Sequence, residues 1–267
     1  MVLEFIYHMN NYCNLHCEFC SDFSDKPIDK NSPWIERRTK WDVPLEEVEL
    51  FCERFKGIAL NKYVHLTGGE PTAMPIEKLN AVIDLLDTYH RRIVLLTNGF
   101  NVFGVGKEQL KKCAVIKLDD HGINNEHLLD CVKYLNSFTK GNIKHIYTLH
   151  HYDLDATRKL AINKGGHCPR ATLLSDIEIV IKQSVVYPCC AMASFDLYNN
   201  DTQMNDELIK AGWTLDNPSL LKTVLNFKKT LPTYVVKQCK EKCWWPHKRI
   251  LGPTEITLKP NDVIRKP

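Results

Sequence analysis

Three cysteines near the start of the chain, Cys13, Cys17 and Cys20, lie in the stretch Asn11-Tyr12-Cys13-Asn14-Leu15-His16-Cys17-Glu18-Phe19-Cys20. Three thiolates can hold a four-iron cluster by three corners and leave one iron without a protein ligand. A cluster capped at all four irons only passes electrons. One with an open iron can also bind and activate a small molecule. Zinc is the competing reading, but zinc sites usually join two separated ligand pairs and take four ligands. His16 could be a fourth donor, although it is squeezed between two of the cysteines.

Two further groups carry chemistry. Leu66-Thr67-Gly68-Gly69-Glu70-Pro71-Thr72 contains a glycine pair that lets backbone approach a ligand closely, and by itself it also reads as a tight turn. Five cysteines gather late in the chain, Cys168, Cys189, Cys190, Cys239 and Cys243. Four of them suit one fully capped [4Fe–4S] cluster; a zinc site and unligated thiols are the alternatives. Adjacent Cys189 and Cys190 ligate one metal poorly together, so one of them is spare. Cys52, Cys113 and Cys131 fall within helical patterns and read as buried small apolar residues.

The elements that must position these groups alternate. Strands are expected at Leu3 to Met9, Tyr63 to Thr67, Ile93 to Thr97, Val115 to Leu118 and Ile143 to Leu149. Between them, helical patterns cover Pro44 to Phe55, Ile76 to Tyr89, Lys107 to Cys113 and Asn125 to Phe138. The helix from Ile76 turns Leu79, Val82, Ile83 and Leu86 to one face. Such alternation predicts parallel strands packed against helices, with functional residues on loops after strand C-terminal ends. The cysteine loop follows the first strand and the Gly-Gly-Glu-Pro turn follows the second. After Tyr152 the pattern changes. Ile177 to Ile181 and Val185 to Tyr187 read as a hairpin that delivers Cys189 and Cys190 past Pro188, and helical stretches follow at Asn205 to Ala211 and Pro218 to Leu231. The expected division is therefore residues 1–152 as the core and 153–267 as a small unit with little core of its own, held by metal.

Taken together, the C-x3-C-x2-C spacing with an aromatic residue before its last cysteine, followed in order by Gly68-Gly69-Glu70-Pro71, resembles the radical S-adenosylmethionine (SAM) superfamily. The resemblance implies an α/β fold, a partial (β/α)5-6 TIM-like barrel with a small C-terminal Fe–S-binding β-hairpin/helix extension. It implies that Cys13, Cys17 and Cys20 ligate a [4Fe–4S] cluster whose open iron takes SAM. Reductive cleavage of SAM would then give a 5′-deoxyadenosyl radical that removes hydrogen from an unactivated carbon. It places SAM contacts at Phe19, Gly68, Gly69, Glu70, Pro71 and Asn98, with the Gly-Gly-Glu-Pro backbone and Glu70 on the methionine amino group. Val185-Val186-Tyr187-Pro188-Cys189 is similar to the hairpin-then-cysteine feature of SPASM and Twitch extensions. That implies an auxiliary [4Fe–4S] cluster on Cys168, Cys189, Cys239 and Cys243, with Cys190 as alternate to Cys189, in a layout similar to short radical SAM dehydrogenases.

Lys117, Asp119 and Asp120 end the fourth strand and are candidates for SAM ribose or substrate contact, as are His150, His151 and Tyr152 after the fifth. The long stretch from Asp22 to Asp42, with Trp34, Arg37, Arg38 and Trp41, either covers the substrate or is a solvated loop with aromatic anchors. Trp244 and Trp245 are expected to shield the auxiliary cluster. A formal charge of +3 and a pI near 8.2 give no support to a large nucleic-acid interface. The expected substrate is a small molecule. A peptide remains open, weakened because the chain starts at its first strand with no preceding recognition domain, and so does a nucleoside or nucleic-acid base. An electron donor such as flavodoxin or ferredoxin is implied. A non-enzymatic zinc or iron–sulfur protein is the reading from another class; such a protein has no need of a Gly-Gly-Glu-Pro turn beside an open-cornered cluster. The N-terminus carries no basic and apolar leader pattern and no membrane-length apolar run occurs, which predicts a cytoplasmic protein with no membrane partner.

Overall fold

A computed structural model of the chain describes residues 2–15, 40–56, 63–120, 125–139, 144–149, 176–193, 203–242 and 254–257. It contains one eight-stranded sheet. In chain order the strands are β1 (Val2–His8), β2 (Tyr63–Thr67), β3 (Arg92–Thr97), β4 (Cys113–Asp120), β5 (Lys144–Leu149), β6 (Asp176–Lys182), β7 (Val185–Tyr187) and β8 (Thr254–Thr257). Their spatial order is β7-β6-β1-β2-β3-β4-β5-β8. The six from β6 to β5 run parallel, and β7 and β8 lie antiparallel at the two edges. The sheet is open, consistent with the expected partial barrel.

Four helices follow the strands as the alternation predicts: α1 (Leu45–Arg54), α2 (Ile76–Thr88), α3 (Lys107–Lys112) and α4 (Asn125–Thr139). Alternate strand residues face them, because side chains alternate across a sheet. Phe5, Tyr7, Val64, Leu66, Ile93, Leu95, Ile116 and Leu118 are buried in this core. Helix α2 contributes the expected face of Leu79, Val82, Ile83 and Leu86. Phe51 and Phe55, one turn apart near the end of α1, enclose Phe5, with ring centroids 5.1 and 4.7 Å away. This fixes α1 over β1 and so sets where the loop between them starts and ends. Cys52, Cys113 and Cys131 are buried free thiols of the same core, as expected. Burial pushes the thiol of Cys52 up to about 11 and those of Cys113 and Cys131 up to about 12, which keeps them protonated and unreactive.

The opposite sheet face is more polar. His65 on β2 meets Glu4 on β1 at 2.7 Å, Arg92 donates to the Tyr63 hydroxyl at 2.7 Å, and Lys117 and Asp119 lie on this face near the end of β4. Val94 and Val115 form a small apolar cluster there, against Tyr63 and Leu96.

The expected hairpin forms from β6 and β7, but β6 has a second role. It pairs in parallel with β1, in the register Phe5↔Ile179 and Tyr7↔Ile181. A barrel continuing in chain order would place its sixth strand beside β5; here that edge belongs to β8. The sheet therefore runs across the 152/153 boundary. The helical pattern expected from Pro218 to Leu231 is two short helices, Leu220–Leu225 and Phe227–Thr230, broken at Asn226. A helix at Thr233–Lys242 follows, which the sequence pattern does not announce. It packs on the helix Gln203–Lys210, which in turn packs on β7.

Candidate active site

The site is built around the start of the cysteine loop, which leaves β1 between two other segments. On one side, Gly69 N–H donates to Asn10 O at 3.0 Å and Glu70 N–H donates to Tyr12 O at 2.8 Å. On the other, Val43 N–H donates to Met9 O at 2.8 Å and Trp41 N–H donates to Asn11 Oδ1 at 3.1 Å. The Tyr12 hydroxyl donates to Asp42 Oδ1, and Lys40 Nζ sits 5.1 Å from the Tyr12 ring centroid. Burial and the Asp42 carboxylate both push the Tyr12 hydroxyl pKa upward, so it stays a donor. Residues 9–12 are thus clamped on both sides before the chain reaches Cys13.

The reason for the two glycines is contact between backbones. A β-carbon on Gly68 would stand 2.4 Å from Asn10 O, and one on Gly69 would stand 2.0 Å from Tyr12 O. Gly68 also adopts φ +122°, which side-chain-bearing residues rarely take. The sequence links this pair to approach by a ligand; in the fold the glycines admit the cysteine loop itself.

Glu70 is 2% exposed and both of its carboxylate oxygens accept hydrogen bonds from the protein. Oε1 accepts from Thr72 N at 2.9 Å, Thr72 Oγ1 at 2.7 Å and Thr97 Oγ1 at 2.6 Å, and Oε2 accepts from Asn98 N at 2.7 Å. Asn10 Nδ2 donates to the Glu70 carbonyl at 2.7 Å. Burial raises the carboxyl pKa, while the four donors pull it back. Glu70 also caps the short turn Pro71–Ala73, with Pro71 at its first position where no N–H is needed. One carboxylate therefore joins the ends of β2 and β3, and Thr72 and Thr97 are parts of the site that sequence reasoning misses. The only signal is a hydroxyl two residues after Glu70 and another just before Asn98.

Asn98, 5% exposed, connects β3 to the cysteine loop. Its Nδ2 donates to Asn14 Oδ1 at 2.9 Å and to Cys13 Sγ at 3.4 Å. Leu15 N–H also donates to Cys13 Sγ at 3.3 Å, and the thiol faces Asn14 Oδ1 at 3.7 Å. Two N–H groups thus point at this half-buried sulfur, and donors of that kind suit a metal-bound thiolate. The donor chemistry at Cys13 therefore fits an iron–sulfur ligand. An open cleft of about 560 Å³ lies between Tyr12, Lys40 and Asp42 on one side and residues 73–76 with Asn101 on the other.

Phe19, Cys17 and Cys20 lie outside the described residues, as do Cys168, Cys243, Trp34, Arg37, Arg38, His150, His151, Tyr152, Trp244 and Trp245. Among the described residues no three His, Cys, Asp or Glu side chains converge as a metal site. Cys189 is half-buried just after β7, and Cys190 opens the short helix Cys190–Ala193. Cys239 lies on the helix Thr233–Lys242. Lys117 and Asp119 are half-buried at the end of β4; for Asp120 the strand backbone alone is described. No helix among the described residues is long and apolar enough to cross a membrane.

Residues 7–127 match the family model described as the radical SAM superfamily. This span holds the cysteine loop, the Gly68–Pro71 turn and Asn98. No curated protein matches the chain. Similar solved structures include BtrN in complex with AdoMet and 2-DOIA, at 15% identity and TM-score 0.49, covering 92% of this chain and 98% of that one. Streptococcus suis SuiB bound to precursor peptide SuiA is 14% identical with TM-score 0.43, covering 90% of this chain and 67% of that one. Native anSMEcpe with bound AdoMet and Cp18Cys peptide is 16% identical with TM-score 0.37, covering 54% of this chain and 42% of that one.

Proposed function

We propose that the chain, whose residues 7–127 match the radical SAM superfamily model, is an enzyme of SAM-dependent radical chemistry, that Cys13, Cys17 and Cys20 hold its [4Fe–4S] cluster and that it oxidises a small polar molecule. The chemistry supplied there is one-electron reductive cleavage of SAM, giving a radical able to take hydrogen from an unactivated carbon. The observation that carries this reading is the clamped cysteine loop, with the Cys13 sulfur receiving N–H groups from Leu15 and Asn98.

The chain's own residues do the positioning. Gly68 and Gly69 seat the loop, Glu70 ties that seat to the end of β3, and Asn98 reaches from β3 to the sulfur. A cleft opens between Tyr12 and Asn101. Lys117 and Asp119 place a cation and a carboxylate at the C-terminal end of β4, on the polar sheet face. Side chains of this kind suit a small hydroxylated or amine-bearing substrate, bound by hydrogen bonds and oriented with one C–H toward the radical. Peptide and nucleoside substrates are the competing outcomes. The matched domain needs an electron donor, and a flavodoxin or ferredoxin fits that role.

An auxiliary [4Fe–4S] cluster is part of the same proposal, on Cys168, Cys189, Cys239 and Cys243, with Cys190 as alternate to Cys189. In support, β7 delivers Cys189, and the helix bearing Cys239 packs on Gln203–Lys210, the helix against β7. Such a cluster would accept the second electron of a two-electron oxidation. Anaerobically reconstituted protein is expected to contain about eight irons per chain, from two four-iron clusters. About four would remove the auxiliary cluster. Deuterium passing from labelled small alcohols or amino sugars into 5′-deoxyadenosine is the expected substrate signature. Transfer only from a peptide or a nucleoside would overturn the small-molecule reading.

A further inference from the structure

The side-chain amide of Asn98 has a fixed orientation. Its Oδ1 accepts the Phe100 N–H at 3.0 Å, so Nδ2 must face the other way, toward Asn14 Oδ1 at 2.9 Å and Cys13 Sγ at 3.4 Å. The two hydrogens of the amide are matched to these two acceptors. The turn that carries Asn98 is itself held. Its backbone N–H donates to Glu70 Oε2 at 2.7 Å, and Gly99 N–H donates to Thr97 Oγ1 at 3.0 Å. From α4, His127 Nε2–H donates to Gly99 O at 2.6 Å, and the Cys131 thiol donates to the same carbonyl at 3.5 Å. Gly99 sits at φ +89°, where a β-carbon would stand 2.8 Å from Leu128 Cδ2 and 3.2 Å from Cys131 Sγ, so the helix and the turn meet closely.

We propose that Asn98 is a tuning residue, donating an N–H···S hydrogen bond to the Cys13 thiolate and thereby raising the reduction potential of the cluster that Cys13 holds. This rests on the reading of Cys13 as a ligand. The physical reason is that reduction adds negative charge to the cluster and its sulfurs, so an N–H pointed at a ligand sulfur stabilises the reduced state more than the oxidised one. His127 acts through the turn as a positioning residue, because the carbonyl it holds belongs to the residue next to Asn98.

The test is an EPR-monitored redox titration of reconstituted protein without SAM, comparing wild type with Asn98→Asp and Asn98→Ala. Asn98→Asp keeps an acceptor for Phe100 N–H and replaces the donor with a carboxylate oxygen. At a fixed solution potential its ratio of reduced to oxidised cluster is expected to fall about tenfold, a shift of ~59 mV to more negative potential for a one-electron couple. Asn98→Ala is expected to shift the same way and less. Wild-type potentials in both variants, with iron content unchanged, would overturn the proposal. A second measurement needs no variant. Reduced wild-type protein carrying 15N in its asparagine side chains is expected to show a 15N coupling to the cluster in pulsed EPR, and its absence would equally overturn the proposal. Cys13→Ala separates this from the reading beneath it. If that variant retains a SAM-responsive cluster, the ligand assignment fails. If it loses the cluster while the Asn98 variants titrate like wild type, only the tuning role fails.

Discussion

Replacing Gly69 with alanine is expected to lower the rate of SAM cleavage about 100-fold, the cost of misplacing a reacting group by roughly 1 Å. The new methyl would stand 2.0 Å from Tyr12 O, 2.5 Å from Tyr12 C and 2.6 Å from Tyr12 N, all backbone atoms that no rotamer change can move. The cysteine loop must lift from the Gly68–Glu70 turn, breaking the bonds from Gly69 N–H to Asn10 O and from Glu70 N–H to Tyr12 O. Overpacking of this kind costs about 1–3 kcal/mol, so the sheet and helices should survive while the cluster seat does not. Gly212→Ala is the matched control. Gly212 sits at φ +78° just past the helix Gln203–Lys210, where Gly212 N–H and Trp213 N–H close the helix end on Ile209 O and Leu208 O. Alanine there should cost roughly 1–2 kcal/mol of stability and leave cleavage unchanged. Full cleavage in Gly69→Ala would show that the loop is not seated as described.

The second large effect is expected at Glu70. Four donors converge on its carboxylate, and glutamine can satisfy only those that reach its single oxygen. With its oxygen in the Oε1 position, its NH2 would face the Asn98 N–H, donor against donor. Leaving buried donors in this state costs about 2 kcal/mol or more, which corresponds to a fall of roughly 4–8 °C in Tm for a chain of this size. Cleavage should fall more than tenfold at the same time, because the Asn98 turn loses its tie to β2. Measuring both quantities separates two roles for the carboxylate. An unchanged Tm with weakened SAM binding would mean that Glu70 acts on the ligand and not on the loop.

Much of the core is legible in the sequence because burial leaves a periodic trace. The four apolar positions of α2 recur at helical spacing, and the strand ends coincide with Gly68-Gly69 and Asn98-Gly99, so residue types alone place both turns. The cysteine trio stands out in the sequence because its spacing is the kind that ligands of one centre would need, and only Cys13 of the three lies among the described residues. What the glycines touch is not, since a close approach to Tyr12 O and a close approach to a ligand leave the same residue in the sequence. The hydroxyls of Thr72 and Thr97 escape notice because they meet on Glu70 only once β2 and β3 are side by side. The place of β6 is also illegible. Its apolar pattern fits a hairpin and a parallel neighbour equally, and nothing local distinguishes the edge beside β1 from the edge beside β5. The helix Thr233–Lys242 carries the paired valines Val235 and Val236 and an interior full of polar residues, so its propensity is weak; packing against its neighbour supplies what propensity lacks.

The central claim is that the clamped cysteine loop holds a cluster with one open iron, at which SAM is cleaved. Oxygen-free reconstituted protein, given SAM and dithionite, tests it directly by the release of 5′-deoxyadenosine, followed in wild type and in Cys13→Ala. Release by wild type and none by the variant is the predicted result. Equal release from both, or none from wild type together with zinc in elemental analysis, would contradict the account.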